Sequence, residues 1–158
     1  MHKKNQGWRS RGLSDPVNSN NLSKRKLGDC DFQDSSNKNI VAYEAHGGIL
    51  SKIYFEGHVR TFRRSLQRRR EELETIADVD QWKFRVIFVA YGFNSGLPDH
   101  FEVDGIKVET EFITLDDLYN RTDIDAAEFI GYFNSLFIAI LNDRRTPSAV
   151  REKIRVLI

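Results

Sequence analysis

The chain of 158 residues has little of what covalent cross-linking or membrane insertion needs. It contains one cysteine, Cys30, so no internal disulfide can form, which favours a reducing compartment such as the cytosol or the nucleus. Its longest apolar runs, residues 86–90 and 136–141, are far shorter than the roughly 20 residues that cross a bilayer. The first thirty residues are polar and carry no hydrophobic signal segment. We therefore expect a soluble protein with no signal peptide and no transmembrane segment.

The chain also lacks the common motifs of catalysis and cofactor binding. None of its four histidines has another histidine three or four residues away or a companion cysteine, so zinc ligation has little support. Neither the phosphate-binding loops GxGxxG and GxxxxGK[ST] nor the serine-hydrolase motif GxSxG occurs. The sequence accordingly predicts no cofactor, no bound metal, no small-molecule substrate and no enzymatic activity.

What the sequence does have is charge sorted into separate regions, which the formal net charge of +1 conceals. Six arginines fall within residues 60–70, and no acidic residue lies among them. Residues 99–128 carry ten carboxylates against only Lys107 and Arg121. A molecule with a basic region and an acidic region can attract anionic partners to one side and further copies of itself to the other. This pattern suits an assembly or coat protein better than a catalyst.

The two charged regions supply the candidate binding surfaces. We predict that anions bind to two basic clusters, which comprise Lys24, Arg25, Lys26, Arg60, Arg63, Arg64, Arg68, Arg69 and Arg70. The anion is left open among nucleic-acid phosphate, anionic lipid headgroups and the acidic region of a neighbouring copy. The cluster at residues 24–26 also fits a short nuclear-import signal. We predict self-association through five acidic side chains, those of Asp104, Glu109, Glu111, Asp116 and Asp117.

The composition of the chain changes near residue 39. Residues 1–38 are rich in asparagine, serine and basic residues, contain few large apolar residues and show no periodicity, which predicts a disordered basic arm. Residues 39–158 carry the patterns of strands and helices and are predicted to form a single α+β domain. We expect a small mixed or antiparallel sheet packed against two to three helices.

Periodicity and turn signals predict the first elements of that domain. The pattern predicts two extended segments, residues 40–42 and 49–59, joined at Gly47-Gly48, with a strand over residues 52–59. A helix is predicted over residues 62–77, where apolar residues recur on one narrow face.

The remaining elements carry stronger local signals. Residues 82–91 become continuously apolar, which is typical of a central strand covered on both faces. Asp104-Gly105 between alternating segments predicts a two-residue hairpin, whose second strand continues to Leu115. Helices are predicted from residue 123 or 125 to about residue 142, and again after Thr146-Pro147.

A metal-dependent nuclease is the enzymatic alternative. Pro98-Asp99 precedes a hairpin that carries Asp104, Lys107, Glu109 and Glu111, and carboxylates on adjacent strands can hold Mg²⁺. The spacing argues against this alternative, because a PD-(D/E)xK site needs an acid and a lysine separated by one residue. Here Asp104 precedes Lys107 by three residues across a tight turn.

The order of elements resembles that of the matrix proteins of rhabdoviruses over about residues 50–140. The matching features are a polar basic tail, a strand over residues 52–59, an arginine-containing lead into a helix, Trp82, and a buried strand ending in Gly92. A strand over residues 108–115, the acidic pair Asp116-Asp117 and an aromatic segment at residues 129–137 complete the match.

The resemblance implies a structural protein. Members of that family are small proteins that condense the viral ribonucleoprotein, self-associate and bind the inner face of the envelope. It therefore implies a non-enzymatic component of the virion that is also present in the host cytoplasm or nucleus. The chain departs from the family in lacking a PPxY or P[ST]AP motif, since its only prolines are Pro16, Pro98 and Pro147, which puts a standard budding route in doubt. A nucleic-acid-binding accessory or regulatory protein is the remaining alternative.

Overall fold

The computed structural model describes residues 8–12, 25–121, 131, 138, 141–142 and 146–155. The chain divides into two compact units, one of residues 2–121 and the other of residues 122–158 with Met1. In the part of the chain that the structure describes, no helix is both long enough and apolar enough to cross a bilayer.

The first unit is built on a six-stranded mixed sheet with the order β1-β2-β3-β4-β6-β5. Its strands are β1 (Trp8–Arg11), β2 (Cys30–Asp34), β3 (Asn39–Leu50), β4 (Lys83–Phe93), β5 (His100–Val103) and β6 (Ile106–Thr114). The first three strands form an antiparallel meander, β4 runs parallel to β3 and β6, and β5 closes the far edge antiparallel to β6. The α+β fold with a mixed sheet is therefore as the sequence predicts.

Helices connect and flank the sheet. Helix α1 (Lys52–Glu74) links the parallel strands β3 and β4, followed by a short 3₁₀ turn at Val79–Gln81. Helix α2 (Leu115–Arg121) follows β6 directly, and the Thr114 hydroxyl caps it by accepting a 3.1 Å hydrogen bond from the backbone N–H of Asp117. In the second unit, α3 (Ser148–Arg155) begins after Pro147, as predicted. The helix predicted from residue 123 or 125 to about residue 142 lies largely outside the described residues.

The main hydrophobic core lies between α1 and one face of the sheet. Phe55 of α1 packs against Phe88 of β4 with ring centroids 5.4 Å apart, and Phe62 packs edge-on against Phe84 at 6.2 Å. Alternate residues of β4 face the opposite side, where Ile87 and Val89 form a smaller buried cluster with Ile113. Strand β4 is thus covered on both faces, which confirms the prediction drawn from its continuous apolar run.

Residues 52–59 are the first two turns of α1, and the predicted strand there is wrong. Strand β3 continues through Gly47-Gly48 with a register shift instead of a turn, and Ser51 then caps the helix by accepting a 3.3 Å hydrogen bond from the backbone N–H of Tyr54. Ile49 and Ile53, which suggested an inward-facing strand, are 65% and 79% exposed. The resemblance to matrix proteins counted a strand at this position.

Two stretches of the predicted disordered arm belong to the sheet, which corrects that prediction for the residues described. Strands β1 and β2 pair with one another and β2 pairs with β3, so the ladder satisfies their backbone groups. Leu27 is buried, and Arg11 of β1 forms an ion pair with Glu72 of α1. These contacts are long-range and leave no periodic signal in the sequence. Residues 1–7 and 13–24 lie outside the described part.

The hairpin at Asp104-Gly105 is confirmed. Val103 pairs with Ile106, and Asp104 and Gly105 both adopt positive φ angles, 50° and 82°, as a type I′ turn requires. The second strand ends at Thr114, where the chain turns into α2.

Candidate functional site

Three arginines of α1 form an exposed row, called here the arginine row: Arg60, Arg64 and Arg68. Residues four apart lie on the same side of a helix, about 6 Å from one another along its axis. Among the described residues, no carboxylate lies within ion-pair distance of Arg60 or Arg64. Arg60 and Arg64 therefore offer guanidinium groups to an external anion on a rigid helix.

Two further predicted arginines are exposed but engaged with acidic side chains. Arg63 lies 3.5 Å from Asp104 at the hairpin turn, and Arg70 lies 3.5 Å from Glu74 one turn along α1. Pairs this exposed contribute little to stability and exchange readily with other anions.

Arg69 is the exception among the six arginines, and the prediction that it binds an external anion is wrong. Its side chain is fully buried against β2, where Nη1 donates to Asp31 Oδ1 at 2.7 Å and Nη2 donates to Gln33 Oε1 at 2.5 Å. Burial lowers the pKa of the Arg69 guanidinium, and the Asp31 carboxylate opposes that shift. Arg69 lies three residues after Leu66 and four before Leu73, so it shares the buried face of α1 with them.

The second basic cluster is not brought to the arginine row as a unit. Lys24 lies outside the described residues, and Arg25 is exposed with a φ of 56°. Lys26 is only 4% exposed, and its ammonium group donates a 2.8 Å hydrogen bond to the backbone oxygen of Asp29. Its predicted role in binding an external anion is therefore not supported by its position.

The predicted acidic surface is partly satisfied within the molecule. Glu109 and Glu111 of β6 both lie near Arg85 of β4, at 3.2 and 4.0 Å, while Asp104 pairs with Arg63. Asp116 and Asp117 occupy the first turn of α2, where the helix dipole favours negative charge. Arg85 faces Glu109 and Glu111 while Arg63 faces Asp104, and among the described residues these acids do not form a group arranged to hold a metal ion.

A shallow polar cavity lies beside those acids. It has a volume of about 370 Å³ and is lined by Arg85, Lys107, Glu109 and the pair Asp99-His100 among others. The imidazole Nδ1 of His100 lies 2.6 Å from Asp99 Oδ1, and this hydrogen bond lowers the pKa of Asp99. Acidic and basic side chains both line this surface cavity, so its charge favours neither an anionic nor a cationic ligand.

A polar cluster that the sequence did not predict lies between β3 and the start of α1. Glu44 is only 8% exposed, and it accepts a 3.0 Å hydrogen bond from the Tyr54 hydroxyl while its other oxygen lies 3.3 Å from His58 Nδ1. The rings of His46 and Tyr54 are in contact, with centroids 4.1 Å apart and their planes tilted by 47°. Neither Glu44 Oε2 nor His58 Nε2 has a hydrogen-bond partner, although both atoms are buried.

Asp29 lies next to Glu44 on the same face of the sheet. Gly28 lets the chain approach β3 closely, since a Cβ atom there would lie 2.5 Å from the carbonyl oxygen of Tyr43. The backbone N–H of Asp29 consequently reaches that oxygen at 2.8 Å, and Asp29 Oδ2 accepts a 2.9 Å hydrogen bond from Ala45 N–H.

Both carboxylates act electrostatically on Tyr54. Burial raises the pKa of Tyr54 above its ordinary value, and Glu44 and then Asp29 raise it further. Burial also raises the pKa of the Cys30 thiol to about 11, with Asp29 and Asp31 adding to the shift. Cys30 is therefore a protonated thiol at neutral pH and a poor nucleophile.

The sequence signal for this cluster was an acid followed fifteen residues later by the acid-x-histidine triplet Glu44-Ala45-His46. The predicted arm over residues 1–38 contains Asp29, so the sequence pattern alone does not bring it to Glu44. Among the residues described, no group of three or more His, Cys, Asp or Glu side chains is arranged to hold a metal ion.

Comparison of the chain with protein-family models, with curated proteins and with solved structures finds no match in any of the three.

Proposed function

We propose that the protein is a non-enzymatic structural protein of the viral matrix kind, which binds ribonucleoprotein or other nucleic acid through the arginine row. The observation that carries this proposal is the exposure of Arg60 and Arg64 on one side of α1, away from any carboxylate within ion-pair distance among the described residues. Guanidinium groups recognise phosphate through charge-assisted hydrogen bonds in a fixed fork geometry.

The geometry favours contact with a phosphate backbone rather than with bases. Apart from Ile53 in the first turn, the exposed side chains of α1 near the row are polar or charged, and Phe62 within the arginine run is buried in the core. No aromatic platform for base stacking accompanies the row on α1, so binding is electrostatic and insensitive to nucleotide sequence.

Self-association is the second half of the proposal. The acidic side chains of the hairpin and of α2 meet the basic row of the next copy, exchanging intramolecular pairs such as Arg63 with Asp104 for intermolecular ones. Such exchange predicts oligomers that dissociate as salt is added. We propose that the protein is located in the virion and in the host cytoplasm or nucleus. A nucleic-acid-binding accessory protein would instead bind as a monomer or dimer without growing assemblies.

The experiment that tests the nucleic-acid contact compares two charge-matched variants. Arg60→Glu/Arg64→Glu changes the row, and Lys83→Glu/Lys153→Glu makes the same change of charge at exposed positions off α1. We expect the first variant to lose RNA binding by at least about tenfold in a filter-binding assay and the second to lose much less. Equal losses in the two variants would show that net charge alone determines the affinity.

Binding to an anionic membrane is a second candidate, favoured by exposed apolar side chains at the start of α1. Ile53 is 79% exposed and Ile49 is 65% exposed, and Ile53 lies on the same side of α1 as Arg60 and Arg64. Aliphatic side chains next to arginines suit the boundary between headgroups and acyl chains.

Vesicle flotation separates the membrane candidate from the nucleic-acid proposal. Ile49→Ser/Ile53→Ser should release the protein from phosphatidylserine vesicles and leave RNA binding intact. The matched control is Ile76→Ser, which alters an isoleucine that is 46% exposed just beyond the other end of α1. If the double variant floats like the unmodified chain, the isoleucines take no part in membrane contact.

A further inference from the structure

The outer side of β5, called here the β5 edge, presents backbone groups that no described strand uses. Strand β5 ends the sheet and pairs with β6 on one side. Thr110 N–H donates to the backbone oxygen of Asp99 at 2.8 Å, just beyond the first pair of this ladder. Because hydrogen-bonded and non-hydrogen-bonded pairs alternate along an antiparallel ladder, the N–H and C=O groups of His100 and Glu102 point away from β6.

The β5 edge is firmly held, and α1 leaves it open. Phe101 of β5 packs edge-on against Phe55 of α1, with ring centroids 5.8 Å apart. Phe55 also packs on Phe88 of β4 at 5.4 Å, so this part of α1 lies over the interior of the sheet. The side chains of His100 and Glu102 alternate with Phe101 and are exposed on the other face. A further strand therefore fits beside β5 without any movement of α1.

The two exposed side chains of the β5 edge are complementary to one another. His100 Nδ1 lies 2.6 Å from Asp99 Oδ1, which leaves Nε2 to donate to a second carboxylate when the ring is protonated. Glu102 lies opposite Lys107 in the ladder but forms no ion pair with it or with any other described residue. Charges on an edge strand normally discourage pairing. Here they have opposite signs two residues apart, so the strand matches an antiparallel copy of itself.

We propose that two copies of the chain pair through their β5 edges, antiparallel and about a two-fold axis beside Phe101, to form one continuous sheet. His100 of each copy lies opposite Glu102 of the other, and the free N–H and C=O groups of both residues form the new ladder. Such a contact is isologous and closes at two copies. This goes beyond the proposed function, because the contact uses neither the arginine row nor the acidic side chains assigned there to self-association.

The two neighbouring registers of this pairing are both worse. One places His100 opposite its own copy and Glu102 opposite Pro98, which has no N–H to donate. The other places Glu102 opposite its own copy, where like charges destabilise the sheet, and His100 opposite Asp104. Asp104 has a φ of 50° in the hairpin turn, so it does not continue the strand. The register that opposes His100 and Glu102 uses every free group of these two residues and opposes unlike charges.

The two-fold relation also determines where the helices lie in the dimer. Phe101 faces α1 in each copy, and a two-fold axis perpendicular to the sheet keeps equivalent faces on the same side. Both arginine rows consequently lie on one side of the continuous sheet, where two rows can contact one polyanion together. This last consequence rests on the proposed function, whereas the dimer itself does not.

Charge reversal at the two edge positions tests the dimer. Sedimentation equilibrium of the full chain without RNA, at about 0.15 M salt, should show a species of twice the 18.4 kDa mass of the chain. His100→Glu and Glu102→Lys each oppose like charges twice in the new ladder, and each should weaken dimerisation by at least about tenfold. Glu152→Lys makes the same charge change as Glu102→Lys on α3, outside the sheet, and should leave dimerisation unchanged.

Mixing the two edge variants gives a result that depends on the register. In a mixed dimer the carboxylate introduced at position 100 faces the ammonium group introduced at position 102, and the native Glu102 faces the native His100. We expect the equimolar mixture to dimerise although neither variant does so alone, which would also show that both variants are folded. A monomeric unmodified chain overturns the proposal, as does a mixture that dimerises no better than its components.

A variant of the arginine row separates this inference from the proposed function. Arg60→Glu/Arg64→Glu should lose RNA binding and keep the dimer, because the row takes no part in the β5 contact. Loss of the dimer in that variant would show that the copies associate through the row, and it would overturn pairing at the β5 edge. A dimer in an unmodified chain that fails to bind RNA would support the edge contact and contradict the proposed function.

Discussion

The guanidinium of Arg69 and the carboxylate of Asp31 form an ion pair that is fully buried between α1 and β2, with 2.7 Å between Nη1 and Oδ1. Gln33 accepts the second guanidinium hydrogen bond, and the backbone N–H of Leu27 donates to the other Asp31 oxygen at 3.1 Å. This pair attaches the amino-terminal strands to the helix that carries the arginine row.

Removing one partner of this pair should be severely destabilising. Arg69→Ala leaves Asp31 charged and buried without its partner, and we expect a loss of roughly 3–5 kcal/mol in the free energy of unfolding. Urea denaturation measures the loss. Arg68→Ala, at the exposed neighbouring position, is the matched control and should change stability far less. A loss below about 1 kcal/mol in Arg69→Ala would contradict the burial of the pair.

The hydroxyl of Tyr54 should contribute to stability through Glu44. Tyr54→Phe leaves Glu44 Oε1 without its donor, and we expect a loss of about 1–3 kcal/mol in the free energy of unfolding. Tyr91→Phe alters a tyrosine that is 70% exposed and should be close to neutral.

The Tyr54 contribution should also depend on pH. Because the folded-state pKa is raised, the contribution is complete below the ordinary tyrosine value of 10.0 and is lost as pH rises above it. Comparing urea denaturation of the unmodified chain and Tyr54→Phe at pH 8 and at about pH 10.5 tests this direction. A stability difference that grows with pH would contradict it.

The Cys30 thiol should be unreactive while the protein is folded. With a pKa of about 11 in place of 9.0, it remains protonated at neutral pH, so Ellman's reagent should react much more slowly with the folded chain than with the chain in urea. The raised pKa contributes stability below pH 9 that is lost as pH rises from 9 toward 11. Equal labelling rates in the folded and unfolded chain at pH 8 would refute the shift.

Replacing glycine by alanine should destabilise the protein in the hairpin turn and stabilise it in α1. Gly105→Ala places a Cβ at a φ of 82°, and we expect a loss of about 1 kcal/mol. Gly57→Ala in α1 meets nothing closer than the Arg60 side chain at 3.8 Å and should stabilise by roughly 0.5–1 kcal/mol. Thermal unfolding of both variants tests whether the two stability changes have opposite signs. A stabilising effect of Gly105→Ala would be inconsistent with the positive φ of the turn.

Local signals allowed part of this fold to be predicted from the sequence. Strand β4 and the Asp104-Gly105 hairpin depend on residues adjacent in the chain, and both are found where they were expected. Strands β1 and β2 could not be predicted in that way, because they are held by pairing with β3 and by buried charges such as Asp31. Tertiary contacts likewise decide that residues 52–59 are helical, since Phe55 and His58 face the core at helical spacing.

In the candidate sites, too, some positions follow from local sequence and others depend on tertiary contacts. The exposure of Arg60 and Arg64 follows from helical periodicity, whereas the burial of Arg69 depends on where β2 lies. The proximity of Asp29 and Glu44 arises only when the meander folds, because fifteen residues separate them in sequence.

The salt dependence of RNA affinity tests the central claim, that the arginine row of α1 holds a phosphate backbone. A plot of log affinity against log salt for single-stranded RNA should be linear, with a slope of about −0.7 for each phosphate neutralised. We predict that Arg60→Ala/Arg64→Ala makes that slope shallower by about 1.4 and weakens binding at low salt. An unchanged slope and an unchanged affinity in that variant would contradict the account.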